Sequence, residues 1–372
     1  MNLLLPIKAI MASTATQYTP VCTRAQREVE ALIGGVLLNT LGKAAQKITV
    51  SKSGLVAKEV YLPKCDYTMY YHEREAVIDD QVVADQDKPT IIFFHGLSMR
   101  SEETAGFITS LNIPPNVRVL CPEMMGHGRD IDNRLLADPD NYTMPTHQVM
   151  LESTSEFFDV VKVGSNTNAF GISLGGAAVY YMQHHRPDII KRSVLVSPAI
   201  LCCVDKTLVS GVKDGSNNFC CAQSREDLKL LMRDLSTGRD DYTREKFDPV
   251  PPFFLESVYR QSKKGPAGHF KTLLLNLLAN KDDPFSALKD VDKESHRLVI
   301  WPEKDRIINY EEGKRFFEVS SNDGNDSCFK SKSTNTEFEV DSNCGHVFHA
   351  DGRGIMSIIQ PRVREYLLNF VA

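Results

Sequence analysis

The chain has 372 residues, 42% hydrophobic and 24% charged, which is enough to bury a substantial core and is the balance of a folded globular protein. A formal charge of -5 without a long basic block speaks against a nucleic-acid surface, and the longest apolar stretches, such as 31–38, fall well short of the roughly 18 residues of a membrane-spanning helix. Nine cysteines, with two adjacent pairs (Cys202-Cys203 and Cys220-Cys221) and no C-x-x-C spacing, favour neither a disulfide framework nor a zinc site, so a reducing, cytoplasmic compartment is the default.

Residues 1–23 carry no acidic side chain and hold Lys8 within a short apolar run, a pattern shared by disordered tails and weak targeting presequences; organelle targeting stays open. From Thr23 to Lys47 the apolar residues Val29, Leu32, Ile33, Val36, Leu37 and Leu41 recur at helical spacing, with Thr23 available as an N-cap. This amphipathic helix either docks on the body or lies on a membrane surface; residues 1–54 are set apart from the rest as an N-terminal tail and helix.

From residue 55 a sheet pattern takes over. Strand-like runs fall at 57–62, 67–72, 90–94, 117–121, 168–172, 193–197, 297–301 and 337–340, about eight in all. The first two are close enough to pair as a hairpin around 63–66. The later runs are apolar throughout and alternate with helix-compatible segments at 102–110, 146–161, 174–184, 310–319 and 354–370, which predicts a mostly parallel sheet covered on both faces. Residues 198–295 break the alternation. They read as several helices: Ser224 and Asp227 form a capping box before 228–235, Pro251-Pro252 opens 253–261, and Pro266 opens a helix to Ala279. The expected organisation is a core over 55–197 and 296–372 with a helical cap inserted at 198–295. Residues 320–336, rich in Ser, Asn, Asp and Lys, read as a surface loop.

The chemistry is announced by Gly171-Ile172-Ser173-Leu174-Gly175-Gly176, a G-x-S-x-G pattern between an apolar run and a helix-compatible one. A serine on a sharp strand-to-helix turn needs small neighbours, which Gly171 and Gly175 supply, and the turn aims the N–H of Leu174 at the point where oxyanion charge would develop. Ligands of an open α/β sheet bind beyond the carboxyl ends of its strands. There the chain places His95-Gly96-Leu97-Ser98, in which Gly96 permits the turn and Leu97 can give the second oxyanion N–H. It also places Gly126-His127-Gly128, then Pro302-Glu303-Lys304-Asp305, and finally Asn343-Cys344-Gly345-His346. The order Ser, Asp, His fits a serine nucleophile on such a sheet. His346 would take the hydroxyl proton and return it to the leaving group, and Asp305 would fix the imidazole tautomer. Glu303 rivals Asp305, and His349 rivals His346. His95 and His127 read as hydrogen-bonding residues of their turns, and His184-His185 as the end of a helix.

Through these four motifs the chain resembles the α/β-hydrolase superfamily from about residue 55 onward, nearest to its monoacylglycerol lipase and esterase branch. The resemblance implies an α/β-hydrolase fold and a serine hydrolase that needs no cofactor or metal, with Ser173, Asp305 and His346 matching the triad and Leu97 and Leu174 the oxyanion hole. Two positions depart from the pattern: Glu123 stands where an aspartate is usual, and Arg129-Asp130 follows the G-H-G turn where a serine is frequent. The expected activity is cleavage of a carboxylic ester, lipid-like in view of the apolar residues Phe253, Phe254, Leu255, Val258, Tyr259, Phe270, Leu273, Leu274, Leu277 and Leu278 of the cap. The natural ester would then be a monoacylglycerol or a lysophospholipid. Expected partners are that small-molecule substrate and, through the cap or residues 24–47, a membrane surface; no nucleic acid is expected. The same triad also serves thioester, amide or carbon–carbon cleavage, and the same fold serves ligand receptors and scaffolds.

Overall fold

The computed structural model describes residues 42–77, 84–216, 224–235, 269–279, 295–318, 335–347 and 354–369. Each of the eight expected runs forms a strand, with ends within a few residues of expectation: β1 (Val56–Leu62), β2 (Tyr67–Arg74), β3 (Thr90–Phe94), β4 (Arg118–Pro122), β5 (Thr167–Ile172), β6 (Ile190–Val196), β7 (His296–Pro302) and β8 (Thr336–Asp341). They make one sheet in the order β1-β2-β4-β3-β5-β6-β7-β8. β1 and β2 form the expected hairpin, β2 pairs antiparallel with β4, and every later pairing is parallel. Strands β3, β4 and β5 are buried at every position, which is why their sequences are apolar without alternation, whereas the edge strands β1 and β8 are partly exposed.

The helices cover the sheet on both faces. α1 (Lys43–Ser53), α2 (Ala105–Ser110), α3 (His147–Val160), α4 (Leu174–His185), α5 (Lys206–Asp214), α6 (Arg225–Leu235), α7 (His269–Ala279), α8 (Tyr310–Glu318) and α9 (Ile355–Leu367) follow in chain order. One core layer holds Phe157 and Phe158 of α3, Tyr180 of α4 and Phe316 of α8; the other holds Phe107 of α2 and Val363 of α9. Thr146 caps α3 by accepting the Val149 N–H at 3.3 Å. α4 ends at His184-His185 as expected.

Two expectations shift. Most of the helix expected at 23–47 lies outside the described residues, and the part described, α1, runs on to Ser53. It stops at Gly54, whose φ of 73° suits a left-handed C-cap. Val50, beyond the expected end at Lys47, packs against the second core layer and extends the helix's apolar face. The loop assigned to 320–336 ends earlier, because Thr336 already belongs to β8; residues 320–334 lie outside the described residues.

Between β6 and β7 the chain leaves the sheet and forms α5, α6 and α7; the helix expected at 253–261 lies outside the described residues. The capping box of α6 is reciprocal, Ser224 N–H to Asp227 Oδ2 at 2.8 Å and Asp227 N–H to Ser224 Oγ at 3.0 Å. The start of the insertion is stitched to the loop after β7: Asn309 N–H donates to the Cys203 carbonyl at 2.7 Å and Asp205 N–H to the Ile307 carbonyl at 3.0 Å. Among the described residues no helix is long and apolar enough to cross a membrane.

Candidate active site

Ser173 joins β5 to α4 with φ 54° and ψ -120°, a conformation that side chains rarely tolerate. The surrounding glycines make it attainable. A β-carbon on Gly171 would strike the Gly175 carbonyl, and one on Gly175 would strike the carbonyls of Phe94 and His95. The turn is further pinned by Ser173 N–H to the Val196 carbonyl at 2.9 Å and by Ala199 N–H to the Ser173 carbonyl at 2.9 Å. Leu174 is the first residue of α4, so its N–H has no acceptor within the helix. The turn after β3 lies alongside: a β-carbon on Gly96 would sit 3.7 Å from the Ser173 β-carbon.

Asp305 and His346 meet although 41 residues separate them. His346 Nδ1 lies 2.7 Å from Asp305 Oδ2, and both side chains are buried. A carboxylate can only accept, so in the neutral ring the proton is on Nδ1 and the lone pair on Nε2. Asp305 Oδ1 accepts the N–H groups of Ile307 and Ile308, each at 2.9 Å, which locks the carboxylate in place. The rival Glu303 is exposed, and its backbone N–H bonds to the Asp341 carbonyl at 3.0 Å. His349 lies outside the described residues.

The two departures from the superfamily pattern have structural occupations. Glu123 is buried, with Oε1 accepting the Arg129 N–H at 2.5 Å and Oε2 accepting from Ser101 N–H at 3.4 Å and Ser101 Oγ at 3.3 Å; burial raises its pKa. Its carboxylate fills the space a β-carbon on Gly128 would need, so the longer acid depends on that glycine, whose φ is 48°. Asp130 Oδ2 accepts from Gly126 N–H at 2.7 Å and from the Tyr142 hydroxyl at 2.9 Å, while Oδ1 takes Arg134 Nη1 at 3.1 Å. Two buried histidines meet here, His127 of this turn and His95 of the turn after β3. His95 Nδ1 donates to the Gly96 carbonyl at 2.9 Å and Nε2 accepts the Met124 N–H at 3.1 Å, while burial pushes its pKa down to about 4. His127 packs against it with ring centroids 5.0 Å apart and is also driven well below the ordinary imidazole range by burial.

A cavity of about 300 Å³ opens over the serine, and Leu97, Ser173, Leu174 and His346 all line it. Most of the remaining wall is aliphatic: Leu208, Leu231, Leu235, Leu274 and Leu277 come from the insertion, and Ile307 and Ile308 from the loop that also holds Asp305. Of the apolar residues expected above the serine, Leu274 and Leu277 stand in this wall. Leu273 is fully buried against the body beside Gly126, Phe270 packs on the core, and residues 253–259 lie outside the described residues. Among the lining residues that the sequence does not announce is His147, the first residue of α3, buried with its pKa pushed down to about 4 by that burial. Only its place after an N-capping threonine could have drawn attention to it. Among the described residues no group of three or more His, Cys, Asp or Glu side chains could hold a metal ion.

An eight-stranded, mostly parallel sheet with a strained serine at the carboxyl end of its fifth strand, and an Asp–His pair at the ends of the seventh and eighth, defines an α/β-hydrolase architecture. The sequence profile of the alpha/beta hydrolase family matches residues 91–355, and the chain belongs to that family. A search of curated proteins by sequence finds no match. Among solved structures, the proposed lipase Lip1 of Acinetobacter baumannii AYE is 18% identical with a TM-score of 0.58, over 88% of this chain and 95% of that one. A bacterial membrane phospholipase A is 15% identical with a TM-score of 0.57, over 92% and 91%. Carboxylesterase CesB of Bacillus subtilis is 13% identical with a TM-score of 0.54, over 92% and 99%. At these identities the likeness speaks for the fold alone, and it does not select the monoacylglycerol lipase branch.

Proposed function

We propose that the chain is a serine hydrolase that cleaves a carboxylic ester with an uncharged aliphatic acyl group, of the kind found in monoacylglycerols, through an acyl-enzyme. The observation that carries the reading is the cavity itself, which brings Ser173, the Asp305-supported His346 and an aliphatic wall into one space. In this reading His346 Nε2 takes the Ser173 hydroxyl proton as Oγ attacks the ester carbonyl carbon. The oxyanion is met by the N–H groups of Leu97 and Leu174. Collapse breaks the carbon–oxygen bond, His346 returns the proton to the leaving alcohol, and water then repeats the sequence on the acyl-serine. Asp305 holds the tautomer that makes Nε2 the acceptor and stabilises the imidazolium while it exists. The inserted helices act as a cap whose leucines receive the acyl chain.

The test is labelling with a fluorophosphonate, with the modified residue located by mass spectrometry, followed by kcat/KM for acetyl to hexadecanoyl esters below their micelle thresholds. Labelling confined to Ser173 and kcat/KM rising with chain length until the cavity is full are the expected results. An unlabelled Ser173 removes the reading; a preference for acetyl esters removes its lipid-like half.

A further inference from the structure

We infer that Leu235 is a positioning residue for the base, through which the insertion reports the presence of an acyl chain to His346. The inference rests on the serine hydrolase reading and adds to it a route from substrate length to the turnover step. Leu235 is the last residue of α6, where helix carbonyls lack N–H donors within the helix. Its carbonyl is instead taken by the Val347 N–H at 2.9 Å, and Val347 directly follows His346. On its other side the Val347 carbonyl accepts the Ile355 N–H at 2.7 Å, at the start of α9. The backbone next to the base is thus strung between the insertion and the body. The imidazole itself is held from a third direction by Asp305 at 2.7 Å.

The same helix reaches the cavity. Leu231 and Leu235 are four residues apart, so they share one face of α6, and both line the cavity together with Val347. α6 also packs against the main hydrophobic core through Leu235. An acyl chain packed on Leu231 and Leu235 gains contacts with the helix whose terminal carbonyl holds Val347. Chain and base therefore stabilise the same placement of α6. Binding energy remote from the reacting bond is then used to align the base, and it appears in kcat rather than only in KM.

The measurement is kcat and KM, separately, for p-nitrophenyl acetate and p-nitrophenyl decanoate below the micelle threshold. In the native protein kcat for the decanoate should exceed that for the acetate by about tenfold. Val347→Pro removes the N–H and should bring the kcat ratio to about one, while KM still falls with chain length because the leucines remain. Val347→Ala keeps the N–H and should keep the ratio. A native ratio of one, or a folded Val347→Pro protein that keeps the native ratio, overturns the inference. If Val347→Pro does not fold, amide hydrogen exchange of the native peptide carrying Val347 decides: slower exchange with decanoate bound than with acetate supports the coupling, and equal exchange refutes it. That exchange experiment needs no turnover, whereas failure of the hydrolase reading shows independently as an unlabelled Ser173.

Discussion

The floor of the cavity and its walls come from different parts of the chain. Ser173, Asp305 and His346 stand on turns beyond the carboxyl ends of β5, β7 and β8, while Leu208, Leu231, Leu235, Leu274 and Leu277 are supplied by the insertion. The floor is set by backbone against backbone: glycines without room for a β-carbon, a serine at φ 54°, and a carboxylate caught by two amides. The walls are set by side-chain bulk. Floor geometry should therefore tolerate almost no change, and the walls should accept change with a graded effect on which ester fits.

The widest separation between the two regions is expected from Ser173→Ala, which should lower ester turnover by about 10⁶-fold while leaving thermal unfolding near that of the native protein. Activity near the native value would remove the floor assignment altogether. Asp305→Asn should cost about 10⁴-fold in kcat, and Glu303→Gln less than about twofold; the reverse ranking would transfer the role to the exposed acid. Gly175→Ala should destabilise the fold by about 3 kcal/mol or more, read by urea unfolding, because the methyl group meets the carbonyls of Phe94 and His95.

Acid should act on the floor through its buried imidazoles. The folded pKa values of His95 and His147, each about 4, lie below the unfolded value of about 6.5, so below that pH the unfolded chain binds protons the native chain does not. Stability is full above about pH 6.5 and falls toward pH 4, by up to about 1.4 kcal/mol per pH unit for each of the two. Urea midpoints that stay level across this window would show that these imidazoles are not shielded from water. The smallest effect belongs to the wall: Leu274→Ala should lower kcat/KM for decanoyl esters by about five- to tenfold and for acetyl esters by less than about twofold. Equal losses on both esters would place Leu274 outside the acyl path.

The floor was also the more legible half in the sequence. A β-strand buried on both faces has to be apolar, and a serine elbow has to be flanked by glycine, so Gly171, Ser173 and Gly175 and all eight strands could be read from local pattern. Distance past a strand end points to Asp305 and His346, and the fold brings these two side chains to 2.7 Å. The walls depend on contacts distant in sequence. Nothing near residue 273 distinguishes Leu273, which packs on the Gly126 turn, from Leu274, which faces the cavity. His147 and the Glu123–Gly128 pair were invisible for the same reason, since a histidine at a helix start and an acid before a glycine turn acquire their surroundings only in three dimensions. The end of α1 is not legible in its stripe of six apolar residues, which stops at Leu41, whereas the helix stops at Gly54.

Asp305 gives its two oxygens different tasks, Oδ2 to the imidazole and Oδ1 to the amides of Ile307 and Ile308. A carboxylate accepts equally at both ends, but a carboxamide has a direction. In Asp305→Asn the two amides claim the single remaining oxygen, so the NH₂ group turns toward His346 Nδ1, which must now present a lone pair. The ring proton moves to Nε2, the nitrogen that receives the serine proton in the proposed reaction. No heavy atom needs to shift for this inversion. The ¹⁵N resonances of the two ring nitrogens should exchange their protonated and unprotonated characters in the variant, a signature of an imidazole that is correctly placed and wrongly addressed.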